Sequence, residues 1–185
     1  MTGFFAFAVI AVIIGVAIGF YNGLVRLRNQ VASAWAQIDV QLKRRHDLIP
    51  NLVSAVQGYM QHERDLFERI TAARTRARSA SGAGAVGEAE GALTQAVGGL
   101  IAVMERYPEL KANQNVLALQ EELVTTENRV GFARQLYNDL VARYNTRQQT
   151  FPANLVAGAL GFRPAEFFQV DAGDRELPRV DVGAR

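Results

Sequence analysis

The feature that most constrains this chain is an uncharged apolar run near its start. Residues Gly3 to Phe20 read GFFAFAVIAVIIGVAIGF, eighteen residues without a charged or strongly polar side chain. A helix of this length covers roughly 27 Å at about 1.5 Å per residue, which is close to the thickness of the hydrocarbon core of a bilayer. The residues that follow are polar enough to form a soluble domain. We therefore expect residues 1–22 to form a transmembrane anchor.

A cleaved signal peptide is the alternative interpretation of this run. Such a peptide has basic residues before the apolar run and a small-residue cleavage site after it. Only Met1 and Thr2 precede the run, and no Ala-x-Ala sequence follows it closely, so a retained anchor is favoured. Arg26 and Arg28 come just after the run, and basic residues are enriched on the cytoplasmic side of a membrane. We expect the N-terminus outside and the C-terminal domain in the cytoplasm.

The composition argues against several kinds of chemistry. The chain has no cysteine, which removes thiol nucleophiles, disulfides and thiolate metal sites, and it has only two histidines, His46 and His62. A di-metal site in a helical bundle requires Glu-x-x-His sequences, and none is present. The net charge of +2 comes from interspersed charges of both signs, unlike the basic patch of a nucleic-acid-binding protein. We expect no cofactor, no bound metal, no nucleic-acid partner and no intrinsic catalysis.

Helical periodicity dominates the sequence after the anchor. Apolar residues recur at spacings of three and four in four segments, and strand patterns are almost absent before residue 165. The stripe of the longest segment comprises Leu119, Leu123, Thr126, Val130, Ala133, Tyr137, Leu140 and Tyr144. Such spacing is typical of helices in a left-handed bundle or coiled coil. We expect an all-α fold, in which a single N-terminal transmembrane helix precedes an elongated up-down four-helix bundle over residues 23–161.

Two breaks and a tail are predicted in this bundle. Asp47, a potential helix cap, comes three residues before Pro50, which favours a tight reversal near Lys43–Asp47, with a kinked continuous helix as the alternative. Residues 79–91 read SASGAGAVGEAEG, which predicts a flexible link. Residues 162–185 are expected to form a C-terminal tail that is partly disordered.

Charged residues beside the apolar seams are candidates for a structural polar network. They are Asp39, Arg44, Arg45, Asp47, Glu63, Glu127 and Arg134. Buried charges are costly unless they are paired, so we expect interhelical ion pairs that fix the helix register. The candidate partners of Glu127 are Arg44, Arg45 and Arg134. The alternatives are a polar groove that binds a peptide or partner helix, and the site of an acid–base enzyme.

The anchor carries glycines at a spacing that suits contacts between membrane helices. Gly15, Gly19 and Gly23 recur every four residues. Small residues at this spacing allow two transmembrane helices to approach closely. We therefore expect these glycines to pack against another membrane helix and the protein to form a homo-oligomer in the bilayer.

Four stretches of the sequence resemble the LemA family of bacterial membrane proteins. They are Tyr21 to Trp35 (YNGLVRLRNQVASAW), Ile38 to Val53 (IDVQLKRRHDLIPNLV), Tyr107 to Leu123 (YPELKANQNVLALQEEL) and Glu127 to Asn145. The resemblance implies an anchor with an elongated helical bundle at the bacterial cell (inner) membrane, no transferable catalytic residues, and partners among membrane or envelope proteins. The function it implies is a membrane-anchored scaffold or protein-interaction module. The alternative is a regulator or cofactor of a membrane-associated protease or another enzyme.

Overall fold

The computed structural model of the chain describes residues 1–169. Within this range there are six helices and no β-strand, which confirms the all-α fold. The helices are α1 (Thr2–Gln57), α2 (Arg64–Ser79), α3 (Ala83–Met104), α4 (Pro108–Ala112), α5 (Gln114–Gln149) and α6 (Ala153–Ala159). Most of the predicted disordered tail lies outside the described residues.

The first part of α1 has the properties of a membrane span. Among the described residues, α1 is the one helix that is long and apolar enough to cross a membrane, and its most apolar 18-residue window has no buried residue. Ala17 and Phe20 are the first residues that the rest of the protein partly covers. An apolar surface of this length without protein cover is suited to contact with lipid. α1 therefore includes the residues predicted to form the anchor, but the helix continues to Gln57.

α1 does not reverse near Lys43–Asp47, contrary to the favoured sequence prediction, and instead continues past Pro50. A proline inside a helix lacks the N–H that would bond the carbonyl four residues earlier, here that of His46. Arg74 of α2 supplies a donor in its place, because its Nε donates to the His46 carbonyl oxygen at 2.8 Å. The continuous helix, which was the alternative, is therefore compatible with Pro50 because α2 compensates for the missing hydrogen bond.

The described chain divides into two compact units. Unit 1 comprises Met1–Leu42 and Asn128–Phe167, and unit 2 comprises residues 43–127 together with Phe168 and Gln169. Because α1 and α5 are long, each contributes one part to each unit.

Unit 1 is built on α1 and the antiparallel α5. Buried residues recur every seven positions on both helices: Leu24, Val31 and Ile38 on α1, and Val130, Tyr137 and Tyr144 on α5. The three α5 residues belong to the stripe that the sequence predicts. The rings of Trp35 and Tyr137 lie 5.4 Å apart between centroids. This contact joins the two stripes and shows which faces of α1 and α5 meet.

The segment after α6 returns along α5 within unit 1. Asn145 forms two hydrogen bonds with the backbone of Ala165: its Nδ2 donates to the carbonyl oxygen at 2.9 Å, and its Oδ1 accepts from the N–H at 2.8 Å. The Tyr137 hydroxyl donates to the Glu166 carbonyl oxygen at 2.8 Å. Burial, with a smaller contribution from the Glu166 charge, raises the pKa of Tyr137 above its ordinary value of 10.0. Its hydroxyl therefore remains a neutral donor.

Four helical segments pack together in unit 2: the end of α1, α2, α3 and the start of α5. Their shared core includes Leu52, Val56, Ile70, Leu93, Leu100, Val116 and Leu123. α5 begins after Asn113, whose Oδ1 accepts hydrogen bonds from the N–H groups of Asn115 at 3.0 Å and Val116 at 3.3 Å. This cap satisfies two of the free donors at the start of the helix.

Helix replaces most of the flexible link predicted at residues 79–91. Only residues 80–82 separate α2 from α3. Alanine is the strongest helix former, and α3 buries an apolar face that begins with Ala83 and Val86. Gly87 is needed for close packing, because a Cβ there would lie 1.8 Å from the Gln169 carbonyl oxygen. The small residues that suggested a link therefore permit a helix to pack closely.

Candidate functional site

A buried charge cluster ties three helices of unit 2 together around Arg45. The Arg45 side chain on α1 is only 2% exposed, and its Nη1 donates to Glu90 Oε2 of α3 at 2.7 Å. Its Nη2 donates to Thr94 Oγ1 at 2.7 Å. Arg45 Nε lies 3.0 Å from Glu127 Oε2 of α5, although its N–H is not aligned for a hydrogen bond. One guanidinium thus contacts both α3 and α5.

Glu90 is the acidic centre of the same cluster. It is 4% exposed, and both of its carboxylate oxygens have partners: Oε2 binds Arg45, and Oε1 lies 2.7 Å from His46 Nε2. A buried carboxylate is tolerated when a cation and hydrogen bonds compensate for the lost hydration. We call Arg45, His46, Glu90, Thr94 and Glu127 the Arg45 cluster.

The structure brings only part of the predicted polar network together. Of the three candidates for the partner of Glu127, Arg45 is the one that contacts it. Arg44 instead pairs with Glu122 at 2.6 Å, with both side chains partly exposed. Glu63 pairs with Arg106 at 3.4 Å. The three remaining candidates are not members of the Arg45 cluster: Asp39 and Arg134 belong to unit 1, and Asp47 is exposed on unit 2.

Glu90, His46 and Thr94 are members of the cluster that the sequence did not predict. Glu90 escaped notice because it lies within the Ala- and Gly-rich stretch that was assigned to a link. A signal was present nevertheless, since Val86, Glu90, Leu93 and Val97 follow the four–three–four spacing of one helix face. A charged residue in register with an apolar stripe predicts a buried ion pair.

The geometry of the Arg45 cluster suits a structural role. Arg45 and Glu90 are enclosed and bind each other, so neither presents a free group to a substrate. Within residues 1–169, no group of three or more His, Asp or Glu side chains is arranged to hold a metal ion. The cluster joins α1, α3 and α5 in unit 2.

Unit 1 carries an open, largely apolar groove on its surface. A groove of about 500 Å³ lies between α1 and α5. Its lining comprises Ala36, Gln37, Val40, Gln41, Arg129, Phe132, Ala133 and Leu136. Phe132 is 75% exposed, Val40 is 60% exposed, and Gln41 Oε1 is buried without a hydrogen bond from the described residues. We call this surface the α1–α5 groove.

The α1–α5 groove continues the line of the anchor glycines. Gly19 and Gln37 are eighteen residues apart, which is five turns of α-helix, so they lie on the same face of α1. A second groove between them is lined in part by Arg26, Gln30 and Ser33. A Cβ added at Gly15, Gly19 or Gly23 would meet nothing within 4 Å in its own chain. One open face therefore runs along α1 from the anchor to the groove.

The sequence is similar to a protein family and to named relatives. The model of the LemA family matches residues 34–182. Magnetosome protein MamQ 2 of Paramagnetospirillum magneticum is 26% identical over 184 aligned residues, covering 85% of this chain and 68% of that protein. Protein LemA of Metamycoplasma hominis is 27% identical over 168 residues, covering 90% of this chain and 75% of that protein. Neither name states a catalytic activity.

Proposed function

Because this chain belongs to the LemA family and carries an N-terminal apolar helix, we propose that it is a membrane-anchored helical scaffold whose copies associate side by side. The observation that carries the proposal is the open face of α1. Gly19 of the anchor and Gln37 of the α1–α5 groove lie on this same face of the helix. Through this face, the membrane and soluble parts of one copy contact the same neighbour.

A second copy of the chain fits this face because the membrane aligns the copies. Spans with the same orientation are parallel and lie at the same depth, so equivalent residues of two copies meet. Gln30, Ser33 and Gln37 each carry both a donor and an acceptor, and identical side chains of this kind can pair with each other. Val40 and Phe132 supply apolar surface beside them. Close approach at the glycines and polar pairing above the bilayer favour one association geometry.

Disulfide cross-linking in the membrane tests this association, since the chain has no cysteine of its own. The single-cysteine variant Gln37→Cys is expected to form covalent dimers when native membranes are oxidised, because a disulfide requires Cβ atoms within about 4.5 Å of each other. The matched control is Ala32→Cys, which is also exposed but lies roughly 140° around the helix from residue 37. It should remain monomeric.

The anchor's contribution is tested by adding Gly19→Ile to the Gln37→Cys variant. A Cβ at Gly19 meets nothing within 4 Å in its own chain, so the helicity and melting of the soluble part should not change. We expect less cross-linking and a shift of the detergent-solubilised protein toward smaller species by mass measurement. Equal cross-linking at positions 32 and 37, or a mass distribution unaltered by Gly19→Ile, would contradict side-by-side association through this face.

The same proposal places the helical units in the cytoplasm. Residues 3–38 and 140–165 contain five arginines and no lysine or acidic residue, and such a basic excess is typical of the cytoplasmic side of a span. In intact cells, a cysteine at Ser81, which is exposed between α2 and α3, should resist a membrane-impermeant thiol reagent until the cells are lysed. A cysteine at Thr2 should react before lysis. Labelling of position 81 in intact cells would show the opposite orientation.

A further inference from the structure

The turn that contains α6 lies beside the point where the anchor ends. The Arg147 guanidinium, near the end of α5, is 5.0 Å from the centre of the Phe20 ring. After α6, the Phe162 ring lies 5.8 Å from the Tyr21 ring and 5.5 Å from the Arg28 guanidinium. Residues before and after α6 thus contact α1 at residues 20–28. We call residues 151–162 the α6 corner.

Local hydrogen bonds define the shape of the α6 corner. Gly161 has a φ of 70°, and the Phe162 N–H donates to the Ala157 carbonyl oxygen at 3.0 Å. A glycine with positive φ just after a helix, with this backbone hydrogen bond, forms a Schellman stop. The stop ends α6 after two turns and directs Phe162 back to Tyr21.

The α6 corner exposes large apolar side chains that the described residues do not cover. Ala153 and Ala157 are buried, so α6 packs its small side against the protein. Leu155 is on the opposite side of the helix and is 62% exposed, and Phe151 is 75% exposed. Leu160 adds a third exposed apolar side chain. The large residues therefore face outward beside residues 20–28 of α1, just after the apolar run.

The charged side chains of the two segments that meet at this corner are basic. Residues 3–38 of α1 and residues 140–165 of unit 1 contain Arg26, Arg28, Arg143, Arg147 and Arg163, with no aspartate, glutamate or lysine. The acidic residues Asp139 and Glu166 bound the second segment. Exposed apolar residues combined with several basic residues are typical of segments that lie in the interface of an anionic membrane. The same combination is poorly suited to water alone.

We propose that the α6 corner is a second membrane-binding element, which lies in the interface of the bilayer that the anchor crosses. Phe151, Leu155 and Leu160 enter the boundary between headgroups and acyl chains, and the arginines contact anionic headgroups. The occupant of this apolar surface is lipid because the contacts to Phe20 and Tyr21 hold the corner at the end of the span. Binding at a second point would restrain the tilt of α1 at its exit from the membrane.

Site-directed spin labelling of the full chain tests the proposal. A label on the single-cysteine variant Leu155→Cys, in vesicles of phosphatidylcholine and phosphatidylglycerol, should be more accessible to oxygen than to a water-soluble nickel complex. The control label replaces Gln135, which is also exposed but lies twelve residues before Arg147, roughly 18 Å along α5. This label should show the reverse preference. Equal nickel accessibility at positions 155 and 135 would overturn the proposal.

A second label position separates membrane contact from a local effect of replacing Leu155. A label at the exposed residue Ala159 should move from lipid to water when Phe151 and Leu155 are both changed to aspartate, with helicity and melting unchanged. In vesicles of phosphatidylcholine alone, the label should lie nearer to water because the arginines lack anionic partners. If the Ala159 label does not respond to the aspartates, the apolar side chains do not hold the corner in the membrane.

Dilution with unlabelled protein distinguishes lipid from a second copy of the chain. If lipid covers the corner, the spectrum of the Leu155 label and its oxygen preference should not depend on the ratio of labelled to unlabelled chains. Spin–spin broadening that disappears on dilution would place a second copy on the corner and overturn the proposal. The association tested by Gln37→Cys concerns another face of unit 1, so the two proposals can fail independently.

Discussion

Replacement of Glu90 by alanine is expected to lower the free energy of unfolding by about 3–5 kcal/mol, because it leaves the buried Arg45 guanidinium without its main partner. Arg45 and Glu90 are 2% and 4% exposed and lie 2.7 Å apart. The same substitution removes the carboxylate next to His46 Nε2. Urea unfolding of the full chain in detergent, followed by far-UV circular dichroism, measures the loss.

Two further carboxylates provide a graded control for this prediction. Glu122 pairs with Arg44 at a distance similar to that of the Glu90–Arg45 pair, but both side chains are partly exposed. Glu122→Ala should therefore cost less than about 1 kcal/mol. Glu127 is 42% exposed and contacts the same Arg45. When Glu127 is removed, Arg45 still pairs with Glu90. Glu127→Ala should cost about 1 kcal/mol, between the other two variants.

A double-mutant cycle separates the ion pair from other effects of the Glu90 substitution. In the Arg45→Met background the buried guanidinium is absent, so Glu90→Leu no longer leaves a buried charge without its partner. It should therefore be much less destabilising than it is in the native chain. If Glu90→Ala costs no more than Glu122→Ala, Arg45 is hydrated in solution and the cluster does not fix helix register. Additive effects of Arg45→Met and Glu90→Leu would lead to the same conclusion.

The sequence predicts the elements of this fold better than it predicts where they turn. The stripe predicted on α5 depends only on helical periodicity, and the structure buries Val130, Tyr137 and Tyr144 of that stripe. The turn expected near Asp47 depended on local signals, a cap residue and Pro50. These signals were overridden because Arg74, distant in sequence, donates to the carbonyl that Pro50 leaves free. A compensating contact of this kind cannot be found from the residues adjacent to the proline.

The charge cluster was partly predictable for a related reason. Arg45 and Glu127 were recognised because each lies beside a long apolar stripe. Glu90 was not recognised, because glycine and alanine around it resemble a linker when helix packing is unknown. Which of several arginines binds Glu127 depends on the rotation of α1 relative to α5 within unit 2, and periodicity determines that rotation only coarsely. Partner assignment therefore required the structure.

Replacement of Gly87 by alanine is the second substitution with a large expected effect on stability, because the added methyl group would clash with the backbone. In Gly87→Ala the new Cβ would lie 1.8 Å from the Gln169 carbonyl oxygen and 2.8 Å from its carbonyl carbon. Neither atom belongs to a flexible side chain, so the segment must move, and the adjacent Phe168, which is 3% exposed, must move with it. We expect a loss of about 1–3 kcal/mol from overpacking, together with faster hydrogen exchange at residues 168 and 169.

Gly98→Ala is the matched control because it makes the same change in the same helix. A Cβ at Gly98 meets nothing within 4 Å, and the residue is exposed on α3. Alanine favours helix over glycine by roughly 1 kcal/mol, so Gly98→Ala should stabilise the protein slightly while Gly87→Ala destabilises it. Opposite signs at two glycines of one helix would show that Gly87 is retained for its contact with the Gln169 backbone. If both variants stabilise the protein equally, that contact does not form in solution, and helix propensity alone governs the glycines of α3.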